Sequence, residues 1–113
     1  MVSKQEFNPG FRSGTYAGDG GASLAIVGVG FQPKFVMIYP QIPGTGGYYV
    51  AFKCSDDGVF TFISKAGLRA YEVDHIISLD ADGFTVGDGT GGVGNFLNVN
   101  LRNYAYQAWA EGT

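Results

Sequence analysis

The sequence predicts an all-β protein, an antiparallel β-sandwich of about eight short strands. Three observations predict it. The apolar runs are short and rich in Val, Ile, Phe and Tyr. Gly, Asp and Pro fence them at close intervals, and helical periodicity is nearly absent. Glycine alone supplies 19 of the 113 residues, against a usual share of about 7%. A chain of this length builds one domain.

Taken in order, strands are expected at Gly14–Tyr16, Ser23–Val27, Phe35–Tyr39, Tyr48–Lys53, Val59–Ser64, His75–Leu79, Phe84–Val86 and Tyr104–Trp109. Each is a short β-branched or aromatic run between turn formers. Four Asp-Gly pairs, at Asp19, Asp57, Asp82 and Asp88, sit between these runs or at their ends. Asp-Gly supplies the positive φ that tight hairpins demand. Ser55–Gly58 and Asp80–Gly83 are therefore read as hairpin turns. Lys65 to Asp74, with Ala66, Leu68, Arg69 and Ala70, is the one place where a helical turn fits. Residues 1–10 read as an N-terminal arm, and residues 11–113 as a single sandwich domain.

Composition excludes whole classes of function. Charged residues make up 15% of the chain and aromatics another 15%, so disorder is excluded. The net charge is −3, and the seven Lys and Arg are scattered singly, which disfavours nucleic acid. No apolar run approaches the roughly 18 residues of a membrane helix, and residues 1–10 have no apolar core of a secretory signal. Cys54 is the only cysteine, so neither an intrachain disulfide nor a cysteine metal cluster is expected.

Chemistry-bearing patterns are sparse. His75 is the only histidine, and no G-x-S-x-G nucleophile turn accompanies it. Asp80, Asp82 and Asp88 offer hard oxygen ligands, but the fifth position of an EF-hand loop would be Phe84. Solvated turn carboxylates are preferred there over a calcium ion. Gly87–Gly94 lacks the G-K-[ST] of a phosphate loop. The expectation is a non-enzyme with no catalytic residue, cofactor or metal.

The aromatics carry what remains. In Phe35–Tyr39 both faces are apolar, so Phe35, Met37 and Tyr39 are candidate contacts with another subunit. Homo-oligomerisation as a trimer or hexamer follows, since closed symmetry also hides sheet edges. Phe7 and Phe11 bracket Asn8-Pro9-Gly10 and are candidate anchors of the arm; the alternative has Phe11 opening the first strand and Phe7 packing back. Tyr48 and Tyr49, beside a charge-poor Pro- and Gly-rich loop, are candidates for stacking on a sugar.

Several stretches together resemble a known family. Ser13-Gly14-Thr15-Tyr16-Ala17-Gly18-Asp19-Gly20 precedes Gly28-Val29-Gly30-Phe31-Gln32-Pro33-Lys34-Phe35-Val36-Met37-Ile38-Tyr39. Leu79 to Gly87 and Tyr104-Ala105-Tyr106-Gln107-Ala108-Trp109-Ala110 follow. This order is similar to that of the small β-sandwich domain of bacteriophage and prophage tail and other virion proteins. It also resembles H-type lectins, which assemble as trimers or hexamers and bind sugars. The resemblance implies a virion structural protein, a decoration or accessory subunit of capsid or tail, folded in the host cytoplasm and working through contacts with itself and other virion proteins. The alternative it implies is a lectin-like module for host glycans. No sugar-binding residue can be carried over from the lectins position by position.

Overall fold

The computed structural model describes residues 10–41, 49–55, 61–65, 68–73, 75–89 and 97–110. Among them lie nine strands and no α-helix. They are β1 (Phe11–Ala17), β2 (Ser23–Val27), β3 (Phe35–Pro40), β4 (Tyr49–Cys54), β5 (Thr61–Lys65), β6 (Leu68–Glu72), β7 (Ile76–Asp80), β8 (Gly83–Gly87) and β9 (Asn103–Trp109). A six-stranded antiparallel sheet runs β1-β9-β3-β4-β5-β6, and a three-stranded one runs β2-β8-β7. The two pack as a sandwich.

The core follows from side-chain alternation. Tyr104, Tyr106 and Ala108 of β9 and Val36 and Ile38 of β3 point inward, joined by Ala51 and Ile63. From the small sheet Ile26, Ile76, Phe84 and Val86 meet them. Phe84 is fully buried and sits edge-on to Tyr106 (ring centroids 5.1 Å apart) and Tyr16 (6.3 Å). Tyr16 in turn stacks on Tyr104 at 5.0 Å and donates its hydroxyl to the Leu97 carbonyl. Burial raises the Tyr106 hydroxyl pKa, and Arg12 pulls the other way.

Two expectations are corrected. The helical turn in Lys65–Asp74 is instead β6, paired residue for residue with β5 from Thr61↔Glu72 to Lys65↔Leu68. Helix-forming residues there are overridden by the open edge of β5, which offers a ladder that a lone helical turn lacks. The Asp-Gly pairs also divide by cause. Gly20 and Gly89 do adopt positive φ, 76° and 73°. Gly83 is not among the positive-φ glycines although it closes the β7–β8 hairpin, where Asp80 pairs with Gly83. Its glycine is required by space, because a Cβ there would run into the Ile26 carbonyl of β2. The Ser55–Gly58 turn lies outside the described residues beyond Ser55, as do residues 1–9 of the arm.

Candidate functional site

The outward face of the six-stranded sheet carries a continuous row of rings, one from each strand. Phe11 of β1 lies against Trp109 of β9 at 5.3 Å, and Trp109 against Phe35 of β3 at 5.3 Å. Phe35 reaches Phe52 of β4 at 5.9 Å, Phe52 reaches Phe62 of β5 at 5.0 Å, and Phe62 meets Tyr71 of β6 at 5.3 Å. Register explains the row. Phe11↔Trp109↔Phe35 and Phe52↔Phe62↔Tyr71 are directly opposed pairs. The step between the two triplets is diagonal, because Phe52 opposes Met37 rather than Phe35.

These rings stabilise the sheet and still present surface. Phe11, Phe35, Phe52, Phe62 and Trp109 are partly buried, while Tyr71 is 58% exposed. Register and alternation leave β1, β9, β3, β4 and β5 with no charged residue at any outward position. Six strands at about 4.8 Å spacing and about 3.4 Å per residue give a face of roughly 500 Å². The row of rings crosses this face among the polar outward residues Ser13, Thr15, Ser64, Asn103 and Gln107, and a clustered exposed apolar strip is a candidate contact surface. Exposed Cys54, opposite Phe35 in register, stands on it as well.

Of the residues singled out from sequence, Phe11, Phe35, Met37 and Tyr39 fall together on this face. Phe11 does so by opening β1, so it belongs to the sheet and not to the arm. Phe7 and Tyr48 lie outside the described residues, and so does the side chain of Tyr49, whose backbone opens β4. Four members of the row, Phe52, Phe62, Tyr71 and Trp109, were missed as contacts. The signal was present in Val50-Ala51-Phe52-Lys53-Cys54, where the outward set is uncharged, and in the outward parity of Trp109.

The turn carboxylates are held by hydrogen bonds. Asp82 accepts the Gly28 and Gly30 backbone N–H groups at 3.0 and 2.7 Å, one on each oxygen, and its carbonyl accepts Val29 N–H at 3.1 Å. Asp80 accepts the Ser78 and Thr85 hydroxyls at 2.7 and 2.6 Å. Among the described residues no three His, Cys, Asp or Glu gather as a metal set. His75 is fully buried immediately before β7, and its carbonyl accepts Gly87 N–H at 2.7 Å.

The chain matches no protein-family model, no curated protein and no solved structure. Its own residues carry the functional reading.

Proposed function

We propose that the chain is a non-enzymatic structural subunit of a bacteriophage or prophage particle, a decoration or accessory protein of capsid or tail. It acts through protein–protein contact, with other copies of itself as a trimer or hexamer and with neighbouring virion proteins. The observation that carries this reading is the row of six rings across the outward face, which has no charged outward position on β1, β9, β3, β4 and β5. Its roughly 500 Å² is more than half of the about 800 Å² that each partner contributes to a stable interface. A protein that binds only the assembled particle stabilises it by mass action, without turnover. The resemblance of its sequence stretches, in their order, to virion β-sandwich domains supports the same role.

Purified particles of the encoding phage or induced prophage provide the test. The chain is expected in fixed stoichiometry on them, with antibody labelling on capsid or tail. Particles lacking it, or hydrolysis of a glycan or ester by the purified chain, would overturn the reading.

A further inference from the structure

The large sheet has two open edges, and they fit each other. Among the described residues β1 pairs on one side only, with β9, and β6 on one side only, with β5. An open ladder of backbone N–H and C=O groups is a template for another strand. We propose that β6 of one copy pairs antiparallel with β1 of the next, with Tyr71 opposite Phe11. This rests on the self-association proposed above and names the edges and the register through which it runs.

Hydrogen-bond phase comes first. The N–H of Ala110 donates to the Gly10 carbonyl at 2.8 Å, and that of Gly18 to the Arg102 carbonyl at 2.9 Å. The even-numbered residues of β1 therefore bond to β9, while Phe11, Ser13, Thr15 and Ala17 turn their backbone groups to the open edge. Across the sheet, the Ser55 N–H donates to the Lys34 carbonyl at 2.9 Å, which sets Lys53 towards β3 and Phe52 towards β5. Carried through the registers Phe52↔Phe62 and Phe62↔Tyr71, this alternation sets Leu68, Ala70 and Glu72 towards β5. Arg69 and Tyr71 turn their backbone groups to the open edge.

Phase and face then agree. With Tyr71 opposite Phe11, Arg69 falls opposite Ser13, and each pair can exchange two backbone hydrogen bonds. The ring row ends at these same two edges, with Phe11 against Trp109 at one and Tyr71 against Phe62 at the other. The pairing sets Tyr71, the most exposed ring, beside Phe11 of the next copy and carries the row onward. No like charges are opposed, since Arg12 falls opposite Ala70 and Glu72 opposite Gly10. Neither strand has a proline or a bulge to interrupt the ladder, whereas β7, at an edge of the small sheet, has a register shift between Ile76 and Ser78. Direction suits as well. Neighbours alternate in direction from β1 to β6, so β6 runs against β1, and a copy added in plane continues the antiparallel order. A head-to-tail contact between two different edges builds a ring where its rotation closes.

A Ser13→Cys/Arg69→Cys double variant, made with Cys54→Ala, is oxidised and its covalent mass read on a denaturing gel. Within one copy β1 and β6 stand five strand spacings apart, about 24 Å, too far for a disulfide. A hydrogen-bonded pair between copies brings the two Cα atoms to about 5.5 Å, inside the disulfide range. Covalent multimers are expected from the double variant and none from either single variant. Ser13→Pro is the second arm. It removes an N–H directed at the open edge, which an edge strand tolerates, and is expected to weaken self-association at least about tenfold with an unchanged circular dichroism spectrum. Sedimentation of the wild type reads self-association separately. An assembling wild type whose double variant forms no covalent multimers would overturn the pairing alone. So would multimers from a single variant, which report like edges together, or a folded Ser13→Pro variant that assembles as the wild type does. A wild type that stays at one chain mass would overturn the self-association and the pairing with it.

Discussion

Asp19 and Asn98 show how single residues hold the loops of this fold. Asp19 accepts the Gly21 N–H at 2.8 Å and the Asn98 amide at 2.9 Å, while Asn98 accepts the Asp19 N–H at 2.8 Å. The same Asn98 amide donates to the Gly21 carbonyl at 3.0 Å, so a fully buried side chain is satisfied at both ends. Asn98→Ala leaves the Asp19 N–H without this acceptor and is expected to cost about 1–3 kcal/mol in urea unfolding. The Gly21 N–H foremost, then the Asn98 amide, hold the Asp19 carboxyl below its ordinary pKa. A lowered folded-state pKa stabilises fully above the unfolded value of about 3.9 and loses that contribution as pH falls through the folded value. The wild type is therefore expected to lose stability more steeply than Asp19→Asn between about pH 5 and 3; parallel acid curves would refute the coupling. Leu101 is the opposite case. It is 82% exposed with φ of 67°, a conformation that suits Asn or Gly. Leu101→Asn is expected to raise thermal stability by about 0.5–1 kcal/mol. The Asp19-Gly20 turn was legible in the sequence; its partner Asn98, 79 residues away, was not.

Strands were legible where alternation was clean and illegible where propensity pointed elsewhere. β2, β3, β7 and β9 lie close to their expected positions because Val, Ile and aromatic residues alternate between turn formers. β6 read as helix because Leu68-Arg69-Ala70 carry helix propensity, and only the pairing with β5 decides against it. β1 starts at Phe11, three residues before the expected Gly14, since pairing with Trp109 extends it. Within β1, Gly14 is dictated by the neighbouring element. A Cβ at Gly14 would lie 2.7 Å from the Tyr106 hydroxyl oxygen and 2.8 Å from its nearest ring carbon. Tyr106 is buried against Phe84 and has little room to retreat. Gly14→Ala is expected to cost about 1–3 kcal/mol. Adding Tyr106→Leu should recover part of that loss in a double-mutant cycle, because the two residues are in contact. Simple additivity would contradict the close approach.

At the scale of the molecule, two sheets of unequal width explain the exposed face. The inward side of the six-stranded sheet is covered by the three-stranded one, which accounts for one apolar face of Phe35–Tyr39. The other face remains, and on it stand Phe35, Met37 and Tyr39 as their alternation suggested. The outward parity of Phe52 and Trp109 was legible strand by strand, but their assembly into one row was not, because a strand's neighbours in a sheet are set by long-range pairing that local patterns do not encode. β9, last in the chain, pairs between β1 and β3 and brings Trp109 between Phe11 and Phe35. The central claim is that this face is where copies meet. Sedimentation equilibrium of the wild type against Met37→Lys/Tyr71→Lys, with circular dichroism confirming the fold, tests it most directly. Met37 lies at mid-face and Tyr71 at its edge, so the double variant sets like charges into the contact while sparing the core. The wild type is expected at three or six times its 12.0 kDa chain mass, with the folded variant falling to one. A wild type that stays at one chain mass, or a variant that assembles as the wild type does, would contradict the account.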